Sequence, residues 1–180
     1  MPKTARAADD GLRLPVRALF LGLAGGLRSW PPLGILALNH DEPSVAGRWT
    51  RWPVLSSPWG RGVLIALAAG EFVADKLPRT QSRLSATPQL SRIDGGIFGR
   101  TAADALAGAA LGSTRPGARS VAEGAAFAAA GALVGNYLGY HARRAVVEST
   151  GLPDPVVAVV EDAVAVVVLS AVVRTGRPAG

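Results

Sequence analysis

Seventeen consecutive residues, Gly124 to Tyr140, carry no charge. Wound as a helix they make nearly five turns on which no face is fit for water. At ~1.5 Å per residue the run extends about 25 Å, most of a ~30 Å hydrocarbon layer. Such a stretch is either buried on every side or embedded in lipid, and the remainder of the 180-residue chain bears on the choice. Apolar residues make up 49% and charged residues only 18%, where a soluble domain carries about a quarter. A soluble Ala-rich helical bundle is the alternative, and it needs polar faces that this run does not supply.

The apolar residues gather into five stretches, so the expected fold is all-α: an integral membrane bundle of about five short Gly/Ala-rich spans. The first runs from about Val16 to Leu38 and should break at Pro31-Pro32, because proline lacks a backbone donor and clashes with the preceding turn. The second is about Gly60 to Leu77, stopped by Pro78. The third is about Gly95 to Gly112, the fourth Val121 to Arg144 and the fifth Pro155 to Val173. One transmembrane domain over 16–173 would then sit between a polar tail, 1–15, and a short tail, 174–180. Lys3, Arg6, Arg13 and Arg17 ahead of Ala18–Leu27 also resemble the start of a signal peptide. The apolar run resumes at Leu33 without a small-residue cleavage site before it, so an uncleaved first span is expected. Trp49, Trp52 and Trp59, among Arg48, Arg51 and Arg61, are the residues that a membrane–water boundary selects.

A net charge of +6 invites a nucleic-acid reading, but the basic residues stand between apolar stretches and no nucleic-acid motif is present. Lys and Arg occur in every loop and both tails, which leaves orientation weakly specified, with a mild bias to a cytoplasmic N-terminus. The absence of cysteine removes disulfides, thiol catalysis and Cys-based metal sites. Gly22-Leu-Ala-Gly25-Gly26 lacks the preceding strand of a phosphate-binding loop, and there is no dinucleotide fingerprint. No nucleophile-and-base pair is evident. The sequence therefore calls for no catalytic residue, no metal and no cofactor.

Chemistry is concentrated in charges that interrupt the apolar stretches. Glu71 and Asp75 lie one turn apart near the end of the second, followed by Lys76; ionised carboxylates in lipid must face the protein or a water-filled cavity. Their partners are sought among Arg28, Arg100 and Lys76, and an interfacial ion pair with Lys76 snorkelling outward is the structural alternative. Arg100 and Asp104 stand four apart in the third stretch, the spacing of a local pair. Glu161 and Asp162 point about 100° apart, two turns into the fifth, so at least one must face other helices; Arg143 or Arg144 could tie them down. His141 is either a proton-transfer group or an interfacial histidine. Gly131, Gly135 and Gly139 recur every four residues and make a groove for close helix packing, a spacing that Gly108 and Gly112 repeat.

Several of these residues fall in motifs: Gly26-Leu27-Arg28 before prolines, Glu71-Phe-Val-Ala-Asp75-Lys76-Leu77-Pro78, and Gly139-Tyr-His141-Ala-Arg143-Arg144. Gly151-Leu-Pro-Asp154-Pro155 and Glu161-Asp162 complete the set. In them the chain resembles the bacterial membrane family known as domain of unknown function 4126, over about residues 17 to 173. It departs from the family where Ser82-Arg83 follows the Lys-Pro motif in place of Asp-Ser. The resemblance implies a multi-pass protein of the bacterial inner (cell) membrane and supplies no activity.

Segments one and four each pair glycines with an Arg, and two and five each hold an acidic pair. A repeat offset by three spans would set its copies in opposite orientations, as in transporters with a site at the repeat interface. The expectation from sequence is a small transporter or channel-like protein with Arg28, Glu71, Asp75, Glu161 and Asp162 lining a polar interior. Its surroundings are the lipid bilayer, a second copy in a homodimer, and a small-molecule or ion substrate. The alternative is a non-transporting scaffold or partner-binding subunit whose buried charges hold helices together.

Overall fold

The computed structural model describes residues 13–26, 28–45, 52–74 and 96–175. Across them the chain is all-helical and without strands: α1 (Leu14–Gly25), α2 (Pro31–Leu38), α3 (Pro53–Ser56), α4 (Pro58–Ala74), α5 (Gly96–Gly112), α6 (Ala118–Thr150) and α7 (Asp154–Arg174). Prolines begin many of these helices. Pro15, Pro31, Pro32, Pro53 and Pro155 occupy first-turn positions, where their missing N–H is no loss and their fixed φ favours entry. The 33-residue α6 ends at Gly151, whose left-handed backbone (φ 67°) returns its N–H to the Val147 carbonyl at 3.0 Å.

The expected break in the first stretch is present and lies just ahead of the proline pair. Helix α1 stops at Gly25, the chain leaves helical form, and Pro31-Pro32 open α2. Neither proline can donate to the preceding turn, so the hydrogen-bond ladder cannot cross into residues 31 and 32. It restarts with the Gly34 N–H on the Trp30 carbonyl at 2.9 Å.

Helix α1 is central. It packs along α6 and also touches α5 and α7, while α2 packs on α4 and α5 on α6. Glycine brings these backbones together. A Cβ added at Gly131 or Gly135 of α6 would collide with the Leu19 or Leu23 carbonyl of α1, and one at Gly22 with the Ala128 carbonyl. Gly108 and Gly124 oppose each other across α5 and α6 in the same way. Small residues therefore set the approach distance. Leu14, Leu21, Leu36, Leu111 and Leu169 fill the core between the helices.

Two helices, α6 and α7, are long and apolar enough to cross a membrane by length and composition, and α1 is a shorter apolar helix. The five-span expectation thus reduces to two candidates among the described residues. The break divides the first stretch into helices of 12 and 8 residues, and α4 and α5 have 17 each. Segments one and four also differ in form, since one is broken and the other is a continuous helix. Asp75 and Lys76, both tails beyond residues 13 and 175, and Trp49 with Arg48 and Arg51 lie outside the described residues.

Candidate functional site

The interruption between α1 and α2 leaves backbone amides that no helix satisfies. Glu71, projecting from α4, takes them. Ser29 N–H donates to both of its carboxylate oxygens (2.9 and 3.0 Å), and Trp30 N–H donates to Oε2 at 2.8 Å. A carboxylate at the start of α2 also meets the positive end of that helix dipole. Glu71 therefore anchors the broken segment to α4 through backbone amides.

Arg28 lies within the break and is 4% exposed. Its Nη2 donates to Oδ1 of Asp162 on α7 at 2.6 Å, and its guanidinium stands 5.7 Å from the centre of the Phe72 ring. A short charge-assisted bond and a cation–π contact are what make a buried guanidinium tolerable. On the third side, Asp104 of α5 is fully buried and turned into the notch left by Gly25, where a Cβ would strike its carboxylate and Pro32. Neither Asp104 oxygen has a hydrogen-bond partner among the described residues. Side chains from α4, α5 and α7 thus meet at one discontinuity in α1–α2.

A second charged group closes the end of α7 nearest the α6–α7 turn. Arg143 grips Asp154 with two bonds, Nε to Oδ1 at 2.9 Å and Nη2 to Oδ2 at 2.6 Å, and its Nη1 faces Glu161 Oε2 at 3.7 Å. Beside the Arg28–Asp162 pair lies a partly open cavity of about 320 Å³. Arg28, Glu161 and Asp162 line it together with Leu23, Leu138, Val164 and Val168, and Gly135 and Gly139 form part of its wall. The cavity exists because α6 and α7 both rest on α1 and scarcely touch each other.

Of the residues singled out from sequence, Arg28, Glu71, Asp104 and Asp162 come together at the break, and Arg143 meets Glu161, which lines the cavity beside Asp162. The expected Arg100–Asp104 pair is not formed. Arg100 is half-buried, and the Asp104 carboxylate is directed instead at Gly25. His141 lies outside the cavity lining, exposed, with Tyr137 at 4.5 Å and Tyr140 at 5.3 Å between ring centres. Gly131 and Gly135 meet α1 directly, whereas Gly139 faces the cavity. Among the described residues no three His, Asp or Glu side chains are grouped to hold a metal.

Sequence reasoning passed over Arg17, treating it as one of several N-terminal basic residues. It is 3% exposed and caps the far end of α7, with Nε on the Val172 carbonyl at 3.0 Å and Nη2 on the Val173 carbonyl at 2.7 Å. Arg174 reaches Asn39 Oδ1 at 3.1 Å beside it. The available signal was weak: Arg17 follows Pro15-Val16, one turn inside a helix that proline could open.

A family model described as Domain of unknown function (DUF4126) matches residues 16–175, from the first turns of α1 to the end of α7. The chain belongs to this family. The match takes in both halves of the broken helix, the cavity and the charged residues around them. No curated protein and no solved structure matches the chain. The family brings no activity with it, so function has to be argued from the site.

Proposed function

We propose that this family member is a multi-pass membrane protein, not an enzyme, which binds a small solute at the broken helix and passes it across the bilayer as a homodimer. The observation that carries this reading is the inverted polarity of the helices around the break. Arg28, Asp104 and Asp162 are buried, while Phe20, Val63, Leu133, Val160, Val164 and Val167 face outward. Water favours the reverse arrangement, and an outer surface this apolar suits lipid. Broken helices at the centre of a membrane bundle recur where transporters hold charged solutes, because unwound backbone there is sheltered by protein. The remaining helices, α1–α2, α4 and α5, would complete the bundle beside α6 and α7. A dimer would enlarge the small space that so few helices enclose.

The test is flux in proteoliposomes against a panel of protons, Na⁺, K⁺, amino acids and small organic ions. Asp162→Asn and Glu71→Gln should abolish a flux that wild type supports while the protein remains inserted. Flux equal to that of empty liposomes for the whole panel would overturn the transport reading. A scaffold or partner-binding role is supported by a different observation: Arg28 contacts Asp162 directly and Glu71 is engaged by backbone amides. That role predicts loss of detergent stability and of co-purifying partners from the same variants, with no flux in wild type.

A further inference from the structure

We propose that Asp104 binds the proton that accompanies the solute, at the tip of a re-entrant hairpin formed by α1 and α2. This deepens the transport reading and rests on it. The hairpin follows from where its two ends meet α7. Near the start of α1, Arg17 donates to the Val172 and Val173 carbonyls. Beyond the end of α2, Ser44 donates to the same Val173 carbonyl, and Asn39 at that end accepts from Arg174. The break between the two helices lies instead at Asp162, which Arg28 reaches. The chain therefore enters at one end of the bundle, descends along about ten residues of α7 and returns to the end it left. Ten residues of helix are ~15 Å, half of a ~30 Å hydrocarbon layer. Asp104 stands at a matching depth, as the middle residue of α5, about 12 Å from either end of that helix. Irregular backbone at such a depth is admitted only where protein or a water-filled cavity shelters it.

Three observations assign a proton to this carboxyl group. First, it is fully buried, and among the described residues neither oxygen has a hydrogen-bond partner, so an ionised carboxylate would keep its desolvation cost. Second, no surrounding charge bonds it. Helix α5 packs on α1, α2 and α6. Helix α2 carries no charged residue, and α6 presents Ser120, Gly124 and Ala128 to α5 at the start of its uncharged run. Arg17 of α1 is turned to the α7 carbonyls at the open end of the hairpin, and Arg28 at the tip bonds Asp162. Arg100, one turn along α5, does not bond Asp104, and Glu71 of α4, near enough to act on it through space, is itself a carboxylate. Third, the space on the hairpin side is filled. A Cβ at Gly25 would lie 2.2 Å from Asp104 Oδ1 and 2.5 Å from Pro32 Cγ, so the carboxyl group packs directly on the hairpin tip. A hard metal ion gathers about six oxygens around itself, whereas a proton needs one lone pair and no added volume. Parting of the tip from α5 admits water, to which an Asp104 oxygen gives its proton as the carboxylate hydrates. Recapture of a proton from water restores the neutral group, which closes again.

Infrared spectroscopy of the full chain in lipid bilayers at neutral pH reads the group directly. The carbonyl stretch of a protonated carboxylic acid is expected. It should move when aspartate is labelled with carbon-13 at the side-chain carboxyl, and it should be missing from Asp104→Asn. Absence of such a band from labelled wild type overturns the assignment, whether or not Asp104→Asn folds. Loss of the band when NaCl or KCl replaces choline chloride at constant pH also overturns it, since a metal ion would then hold the site. Coupling is read in proteoliposomes, at clamped membrane potential, with whichever solute of the transport panel wild type moves. For one proton per solute, a pH difference of about one unit should change steady-state accumulation about tenfold, and Asp104→Asn should lose that response. Accumulation that ignores the pH difference in wild type overturns the coupling. Flux without the carboxylic-acid band defeats this assignment and leaves the transport reading standing. The band without flux of any panel solute defeats the transport reading and leaves Asp104 as a proton site.

Discussion

Replacing the Arg28–Asp162 pair one partner at a time, and then together, tests whether the buried charges act as a unit. The two side chains are 4% and 11% exposed and meet at 2.6 Å, so water screens them little. Two unit charges ~4 Å apart attract by about 4 kcal/mol at an effective dielectric near 20. Removing one partner of a buried pair costs roughly 3–5 kcal/mol, because the other charge loses its compensation, whereas exchange of both for apolar groups of similar volume is close to neutral. Arg28→Met and Asp162→Leu should therefore each destabilise by about 3 kcal/mol or more. The double variant should return to within about 1 kcal/mol of wild type, a coupling well above ~2 kcal/mol. The contact of Arg28 with Phe72 cushions Asp162→Leu slightly, since a cation–π contact is worth about 0.5–2 kcal/mol. Unfolding in mixed micelles with increasing denaturing detergent measures all four proteins. Additive losses, with coupling under ~0.5 kcal/mol, would refute the pairing. The double variant has a second use: a stable protein without flux shows that these charges serve transport as well as structure.

Three further outcomes follow from the packing and the hydrogen bonds. Gly135→Ala should cost at least about 1–3 kcal/mol, because its Cβ meets the Leu23 backbone, while Gly62→Ala, with nothing within 4 Å, should gain about 0.5–1 kcal/mol; thermal unfolding in detergent reads both. Glu71→Ala should cost about 1–3 kcal/mol and speed amide hydrogen exchange at Ser29 and Trp30, and unchanged exchange there would contradict the cap. Asp104→Leu, close to an isosteric change, should stabilise the protein by about 1–3 kcal/mol, since it removes a buried carboxylate that no described group bonds; a lower melting temperature would show that Asp104 holds the fold together.

Much of the architecture was legible because it depends on local chemistry. The stretch read as 95–112 is the helix Gly96–Gly112, and that read as 155–173 is Asp154–Arg174. Pro31-Pro32 placed the break to within a turn, since a missing donor acts on its own neighbourhood. The glycine spacing from Gly131 pointed to close packing, but Gly22 was not read as its partner surface, although Gly22 and Gly26 share the same four-residue interval. What sequence could not show is which charge meets which. Arg100 and Asp104 stand at the spacing of a local pair, yet the notch at Gly25 draws Asp104 the other way. Arg17 reads as a flanking base until the end of α7, 155 residues later, is seen to land on it. Such pairings depend on how helices far apart in the chain are stacked, and residue type alone does not encode that.

Asp104 is the point at which the two functional readings separate. A scaffold gains from Arg28–Asp162, from Arg143–Asp154 and from Glu71 on its amides, for each of these ties one helix to another segment. It gains nothing from a fully buried carboxylate with both oxygens unbonded among the described residues, because desolvation there is a cost with no matching contact. Local rules are broken where function requires it, and stability is recovered elsewhere. Asp104 adjoins the chain that interrupts the helices between α1 and α2, beside the notch at Gly25. A protein that becomes more stable and loses its flux when Asp104 is made apolar would place the solute path at the helix break. One that becomes more stable and keeps its flux would move that path away from the break, to the cleft between α6 and α7.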